Sequence, residues 1–217
     1  MAVTTTETPA GRKIRGLDAE QRRAQRRTQL LDAAFDLFAR DGYTNTSIEQ
    51  ICQTAYVGNK AFYELFDSKE DCFLALLSEI GERIKEQVSE ELKDAVDDTE
   101  EGTARRVLTV FARALVEDPR VAVVSFRECT GISQRVEDLR RENRQWAAAA
   151  LEAFWRSHAK TGDVVDYRAM AVATVGGLFE TIADFLHPSD PARSMDDLTR
   201  DLAAFVIAVG RGIHQRS

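Results

Sequence analysis

Residues 46–66 read Thr-Ser-Ile-Glu-Gln-Ile-Cys-Gln-Thr-Ala-Tyr-Val-Gly-Asn-Lys-Ala-Phe-Tyr-Glu-Leu-Phe. Thr46 with Glu49 three places on has the form of a capping box, which opens a helix by satisfying its first free N–H groups. Ile48, Ile51, Cys52 and Ala55 then recur at i, i+3, i+4 and i+7, one apolar stripe on a short helix. Tyr56-Val57-Gly58 stops it. A second short helix is expected over residues 59–66, burying Phe62 and Phe66 and leaving Asn59, Lys60, Tyr63 and Glu64 outside. Two short helices joined by a tight turn make a helix-turn-helix, whose first helix crosses a phosphate backbone and whose second enters the major groove. Asn, Lys and Tyr side chains suit base edges and phosphates.

The flanking sequence supplies the rest of such a fold. Leu31, Ala34, Phe35 and Phe38 predict a preceding helix from about Asp18 to Arg40, ended by Asp41-Gly42. After Ser68, a run of Phe73, Leu76, Leu77, Ile80, Ile84, Val88 and Leu92 predicts a long helix. Val107 to Leu115 predict another, ending at Asp118-Pro119, with Pro119 in the first turn of the next. Gly131 breaks that one. Long helices follow over 133–159, from a cap at Asp163 or a neighbour to His187, and from Ser194 onward, with Leu198, Leu202, Phe205, Val206 and Val209 on one side of the last. No alternating strand pattern appears, and no proline interrupts a periodic segment. The fold class is all-α: a flexible basic tail (1–17), a three-helix helix-turn-helix domain (18–67) and a C-terminal helical domain (68–217).

Composition narrows the function. With 44% hydrophobic and 30% charged residues the chain is globular. Its net charge of −7 excludes a surface uniformly suited to nucleic acid. Residues 12–27, however, hold seven basic residues (Arg12, Lys13, Arg15, Arg22, Arg23, Arg26, Arg27) against Asp18 and Glu20, so positive charge concentrates at the N-terminal end. The longest apolar stretch, 169–179, is too short for a membrane span. No secretory signal opens the chain, and three separated cysteines (Cys52, Cys72, Cys129) suit a reducing compartment, so a cytoplasmic location without membrane partner is expected. His158, His187 and His214 are scattered. No phosphate loop, nucleophile elbow or HExxH occurs, so neither an enzyme, a cofactor nor a metal site is expected.

Residues 27–77 resemble the DNA-binding domain of the TetR family of bacterial transcriptional regulators. The resemblance rests on Leu31, Ala34, Phe35, Leu37 and Phe38, then Gly42-Tyr43, Thr46-Ser47-Ile48, Ile51, Ala55 and Val57. Phe62-Tyr63, Phe66 and Ser68-Lys69-Glu70-Asp71 complete it. It implies a nine- or ten-helix fold, a homodimer built on the last two long helices, and a ligand cavity in the C-terminal domain. It also implies release of a pseudo-palindromic double-stranded operator by a small effector, with repression as the expected sign. By position it gives Thr46 and Lys69 as phosphate contacts, with Asn59, Lys60, Ala61 and Tyr63 on the groove side. Lys69 also lies in a first helical turn, where free N–H groups favour an anion. The sequence departs from the family at Tyr56, where glycine is usual, and at Gly58, where serine is usual.

The C-terminal helices carry enough aromatics to line an apolar pocket, and Phe126, Trp146, Trp155, Tyr167 and Thr174 are the expected lining residues for an apolar or aromatic effector. Asn143 is a candidate polar contact. Gly176-Gly177 in mid-helix disfavours the helix unless another helix approaches closely. The competing reading is a helical ligand-binding protein or enzyme on the same fold that no longer binds DNA.

Overall fold

The computed structural model describes residues 18–94, 99–158, 166–187 and 193–214, and the regular structure among them is helical throughout. The expected basic tail, the Asp163 cap, Pro188 and Pro191 lie outside the described residues. The chain divides into two compact units inside the fourth helix, between Phe73 and Leu74.

In the first unit, α1 (Ala19–Asp41) starts at a reciprocal box. Asp18 accepts from the Gln21 N–H at 2.8 Å, and Gln21 accepts from the Asp18 N–H at 3.0 Å. It buries Leu30, Leu31, Ala34, Leu37 and Phe38, and stops at Gly42, whose φ of 85° needs no Cβ. The capping box of α2 (Ile48–Thr54) sits one residue later than Thr46 and Glu49 suggest. Ser47 accepts from the Gln50 N–H, and Gln50 accepts from the Ser47 N–H at 2.7 Å. Thr46 is withdrawn from that task because its hydroxyl donates to the Gly42 carbonyl at 2.8 Å and its side chain is buried. α3 (Asn59–Tyr63) is shorter than the expected 59–66, yet Phe62 and Phe66 are both buried and in contact. Gly58 starts it without a side-chain cap.

α4 (Lys69–Asp94) begins after Ser68, whose hydroxyl accepts from the Asp71 N–H. Phe73 closes the core of the first unit against Phe38 and Tyr43, the rings 5.2 and 5.0 Å away. Burying a ring such as Phe38 or Phe73 stabilises by about 1.5–3 kcal/mol.

The second unit contains α5 (Glu100–Val116), α6 (Pro119–Ala122), α7 (Gln134–Ser157), α8 (Tyr167–Phe185) and α9 (Met195–His214). Pro119 opens α6 behind an Asp118 cap. The continuation is not α-helical: Val123–Glu128 forms a π-helical segment, ended near Gly131 at φ 76°. Asp166 caps α8 by accepting from the Ala169 N–H. α7 packs on α8 and α5 on α9. The two mid-helix glycines separate in role. A Cβ on Gly177 would lie 2.9 Å from the Phe205 ring of α9, so this glycine permits the α8–α9 approach, whereas Gly176 faces open space. Phe205 of the expected α9 stripe is accordingly part exposed, while Leu198, Leu202 and Val206 are buried.

Candidate nucleic-acid interface and effector cavities

Two inward rings fix the orientation of α3. With Phe62 and Phe66 in the core, Asn59, Lys60, Tyr63 and Glu64 are exposed, Tyr63 at 58%, and Ala61 is half-buried. Arg23 was not anticipated here. Its guanidinium donates to the Glu64 carbonyl at 3.1 Å, which ties the arginine-rich start of α1 to the end of α3. Arg26 and Gln29 of α1 face Tyr56, Gly58, Lys60 and Glu64 across a shallow surface groove. Arg27 stacks on Phe66. Positive charge is thus brought beside the outward face of α3 by packing as well as by sequence.

Tyr56, in the turn between α2 and α3, has φ 55° and is 97% exposed. A glycine would take that left-handed conformation without steric cost; a tyrosine does not. The family's usual glycine is explained by this backbone, and this chain keeps the backbone with a bulky residue in it.

Thr46 and Lys69 are brought together, but as parts of the turn that positions α2. The Lys69 ammonium donates to the carbonyls of Tyr43 and Thr46, each at 2.8 Å, and lies 4.3 Å from the centre of the Tyr43 ring. Burial lowers its pKa below the ordinary lysine value. Of the three donors of an ammonium, one is left for an anion. The Thr46 side chain is 2% exposed, so it shapes the turn and presents no hydroxyl at the surface.

The second unit holds two cavities of about 80 Å³ each. The first is walled by Val88 and Leu92 of α4, Phe111 of α5, and Trp146, Ala150 and Phe154 of α7; Thr103 supplies the only hydroxyl among its described lining residues. The second shares Phe111, Trp146 and Ala147 with it and adds Lys85, Arg140, Asn143 and Arg144. Of the five expected pocket residues, Trp146 lines both. Phe126 packs on Phe179, which lines the second. Trp155, Tyr167 and Thr174 are buried elsewhere in the core, Tyr167 beneath the Arg156 guanidinium. The alanine run Ala147–Ala150 on α7 was the overlooked signal: small side chains leave the space that aromatics fill. Among the described residues no cluster of His, Cys, Asp and Glu could hold a metal ion, and no helix is long and apolar enough to cross a membrane.

A five-residue helix with an exposed face, held by two buried rings across a tight turn and flanked by arginines, is the arrangement of a helix-turn-helix. Residues 30–76 match the sequence profile of the bacterial regulatory proteins of the tetR family. Over those residues the chain is similar to that family's DNA-binding domain. It is 38% identical over 79 residues to the HTH-type transcriptional regulator TcmR of Streptomyces glaucescens, a match covering 36% of this chain and only 35% of that protein. It is 23% identical over 195 residues to the fatty acid metabolism regulator protein of Bacillus subtilis, covering 87% of this chain and 95% of the other. Its fold is similar to the crystal structure of a transcriptional regulator FadR from Bacillus subtilis in complex with stearoyl-CoA. That TM-score is 0.65 at 22% identity, over 86% of this chain and 97% of that one.

Proposed function

We propose that this protein is a ligand-responsive repressor that binds a pseudo-palindromic operator as a homodimer in the cytoplasm and catalyses no reaction. The observation that carries this reading is the outward face of α3, with Asn59, Lys60 and Tyr63 beside the arginines of α1. Lys60 and the third donor of Lys69 meet phosphates, while Asn59, Ala61 and Tyr63 meet base edges and thymine methyls. Thr46 acts by fixing the turn. Two recognition helices in a dimer read half-sites about 34 Å apart.

The exposed side of α8 supports the dimer. Met170, Val172, Ala173 and Gly176 lie on it, with Ala204, Phe205 and Ala208 exposed on α9. Small residues let a second copy approach closely. The effector is a largely apolar molecule taken into the α4–α5–α7 cavities. Because Val88 and Leu92 of the cavity wall and Lys69 of the turn belong to one helix, α4, an effector that favours a widened cavity biases the DNA-bound state. Turning a 1:99 population into 99:1 requires a preference of ~5.5 kcal/mol.

The test is fluorescence anisotropy with DNA flanking the protein's own gene. Specific binding with steep salt dependence is expected, and Tyr63→Ala should weaken it while leaving the melting temperature in place. A Tyr63→Ala protein that unfolds early, or wild type that prefers no fragment, contradicts the reading.

A further inference from the structure

The turn that joins α2 to α3 holds a residue that folding alone does not explain. Ala55 ends α2 in right-handed geometry, and Tyr56 after it turns left-handed at φ 55°. The Tyr56 N–H donates to the Gln53 carbonyl at 3.2 Å, and the Val57 N–H to the Cys52 carbonyl at 3.0 Å. Together these bonds make a Schellman motif, whose left-handed position is usually glycine. The motif locks the backbone of Tyr56, and with it the direction in which the side chain leaves the chain. The fold makes no use of the ring: it is 97% exposed and forms no hydrogen bond or ring contact with the described protein. Strain of this kind persists where the surroundings over-determine it, and it gathers at binding sites.

The neighbours of the ring say what it meets. Tyr56 shares a shallow groove with Arg26 and Gln29 of α1, with Lys60 and Ala61 of α3, and with Glu64 just after α3. Arg26 and Lys60 are exposed, and neither makes an ion pair with the described residues. Glu64 is the one acid among the groove's described lining residues. Beside the ring the surface is open, since a Cβ on Gly58 would meet nothing within 4 Å. A phenol between two uncompensated cations suits a polyanion.

We infer that Tyr56 is a further DNA contact of this chain: its hydroxyl donates to a backbone phosphate at the edge of the major groove, and its ring packs on the adjoining deoxyribose. This rests on the reading of α3 as the recognition helix. The first helix of a helix-turn-helix crosses the backbone and the second enters the groove, so the turn between them is carried past the strand. A glycine at this position would relieve the backbone and reach nothing; the tyrosine keeps the strain and extends the protein toward the duplex. Such a contact fixes the register of the protein on DNA and carries no base code. It is also neutral, so it releases no counterion, in contrast to Lys60.

The experiment measures binding of the full chain to the operator fragment by anisotropy, for wild type, Tyr56→Phe and Tyr56→Gly at several salt concentrations. It is repeated on duplexes in which one phosphate at a time is replaced by an uncharged methylphosphonate. Tyr56→Phe should bind about tenfold or more weakly, as loss of a hydrogen bond to a charged group implies, with an unchanged salt slope. At one phosphate in each half-site the methylphosphonate should bring wild type and Tyr56→Phe within about twofold of each other. Tyr56→Gly should bind at least as weakly as Tyr56→Phe while its urea midpoint rises, which separates lost contact from lost folding. A Tyr56→Phe affinity within about twofold of wild type overturns the proposal and leaves the recognition-helix reading standing. So does a wild-type to Tyr56→Phe ratio that no methylphosphonate alters. Wild type that binds no DNA fragment refutes the recognition-helix reading, and the contact with it.

Discussion

Replacing Tyr56 by glycine should stabilise the N-terminal unit. The residue holds φ 55°, and its ring is 97% exposed, so the substitution removes almost no buried contact. A left-handed conformation costs an L-residue roughly 1–2 kcal/mol, which glycine recovers. Glycine is also freer in the unfolded chain, and that offsets about 0.5–1 kcal/mol. The net gain is ~0.5–1 kcal/mol, read as a raised urea midpoint at unchanged slope. Tyr56→Asn should behave similarly, since asparagine tolerates this region. Tyr56→Ala keeps the Cβ and therefore the steric cost, and its midpoint should stay within about 0.5 kcal/mol of wild type. Urea denaturation of the three variants decides the matter. If glycine and alanine shift the midpoint alike, or glycine lowers it, the backbone strain assigned to this turn is wrong.

Three further outcomes follow from the geometry. Gly210→Ala places a Cβ 2.9 Å from the Trp155 indole nitrogen, and Trp155 is fully buried; overpacking should cost about 1–3 kcal/mol in thermal or urea unfolding. A neutral result would mean the α5–α7–α9 packing there is loose. Val172→Arg on the open side of α8 should yield a folded monomer in light scattering, and an undisturbed dimer would place the interface elsewhere. Asp197, held at about 2 by the Ser194 hydroxyl and then by Arg200, accepts from the Ser194 N–H in the first turn of α9, where Ser194 is the cap. Its folded pKa lies below the unfolded value, so its contribution is complete above about pH 4 and is lost as pH falls toward 2. Carboxyl NMR should show the midpoint rising in Ser194→Ala, and equal midpoints would remove Ser194 as the cause.

The helix-turn-helix was legible because two independent periodicities and a tight turn coincide within residues 46–66, and only Phe62 and Phe66 could be its inward side. The start of α2 was not. Thr46 with Glu49 and Ser47 with Gln50 satisfy the same spacing, and only the burial of Thr46 under the turn decides between them. The role of Lys69 in holding the Tyr43 and Thr46 carbonyls depends on a contact between positions 26 and 23 residues apart, which no local pattern carries. The pocket was misjudged for a physical reason: Trp155 and Tyr167 fill space, whereas a cavity forms where alanines fail to. The π-helical turn at Val123–Glu128 leaves no mark on hydrophobic spacing over so few residues. What sequence supplied well was the identity of the outward face of α3; what it could not supply was which interior remained empty.

The most direct test of the central claim is the salt dependence of operator binding, measured by anisotropy for wild type and Lys60→Ala at several salt concentrations. Lys60 stands exposed on α3 without a structural task, so its loss should weaken binding across sequences and flatten the log K against log salt slope by about one per site it neutralises. An identical slope in the variant, or a wild-type affinity that ignores salt, would mean that α3 does not lie against DNA.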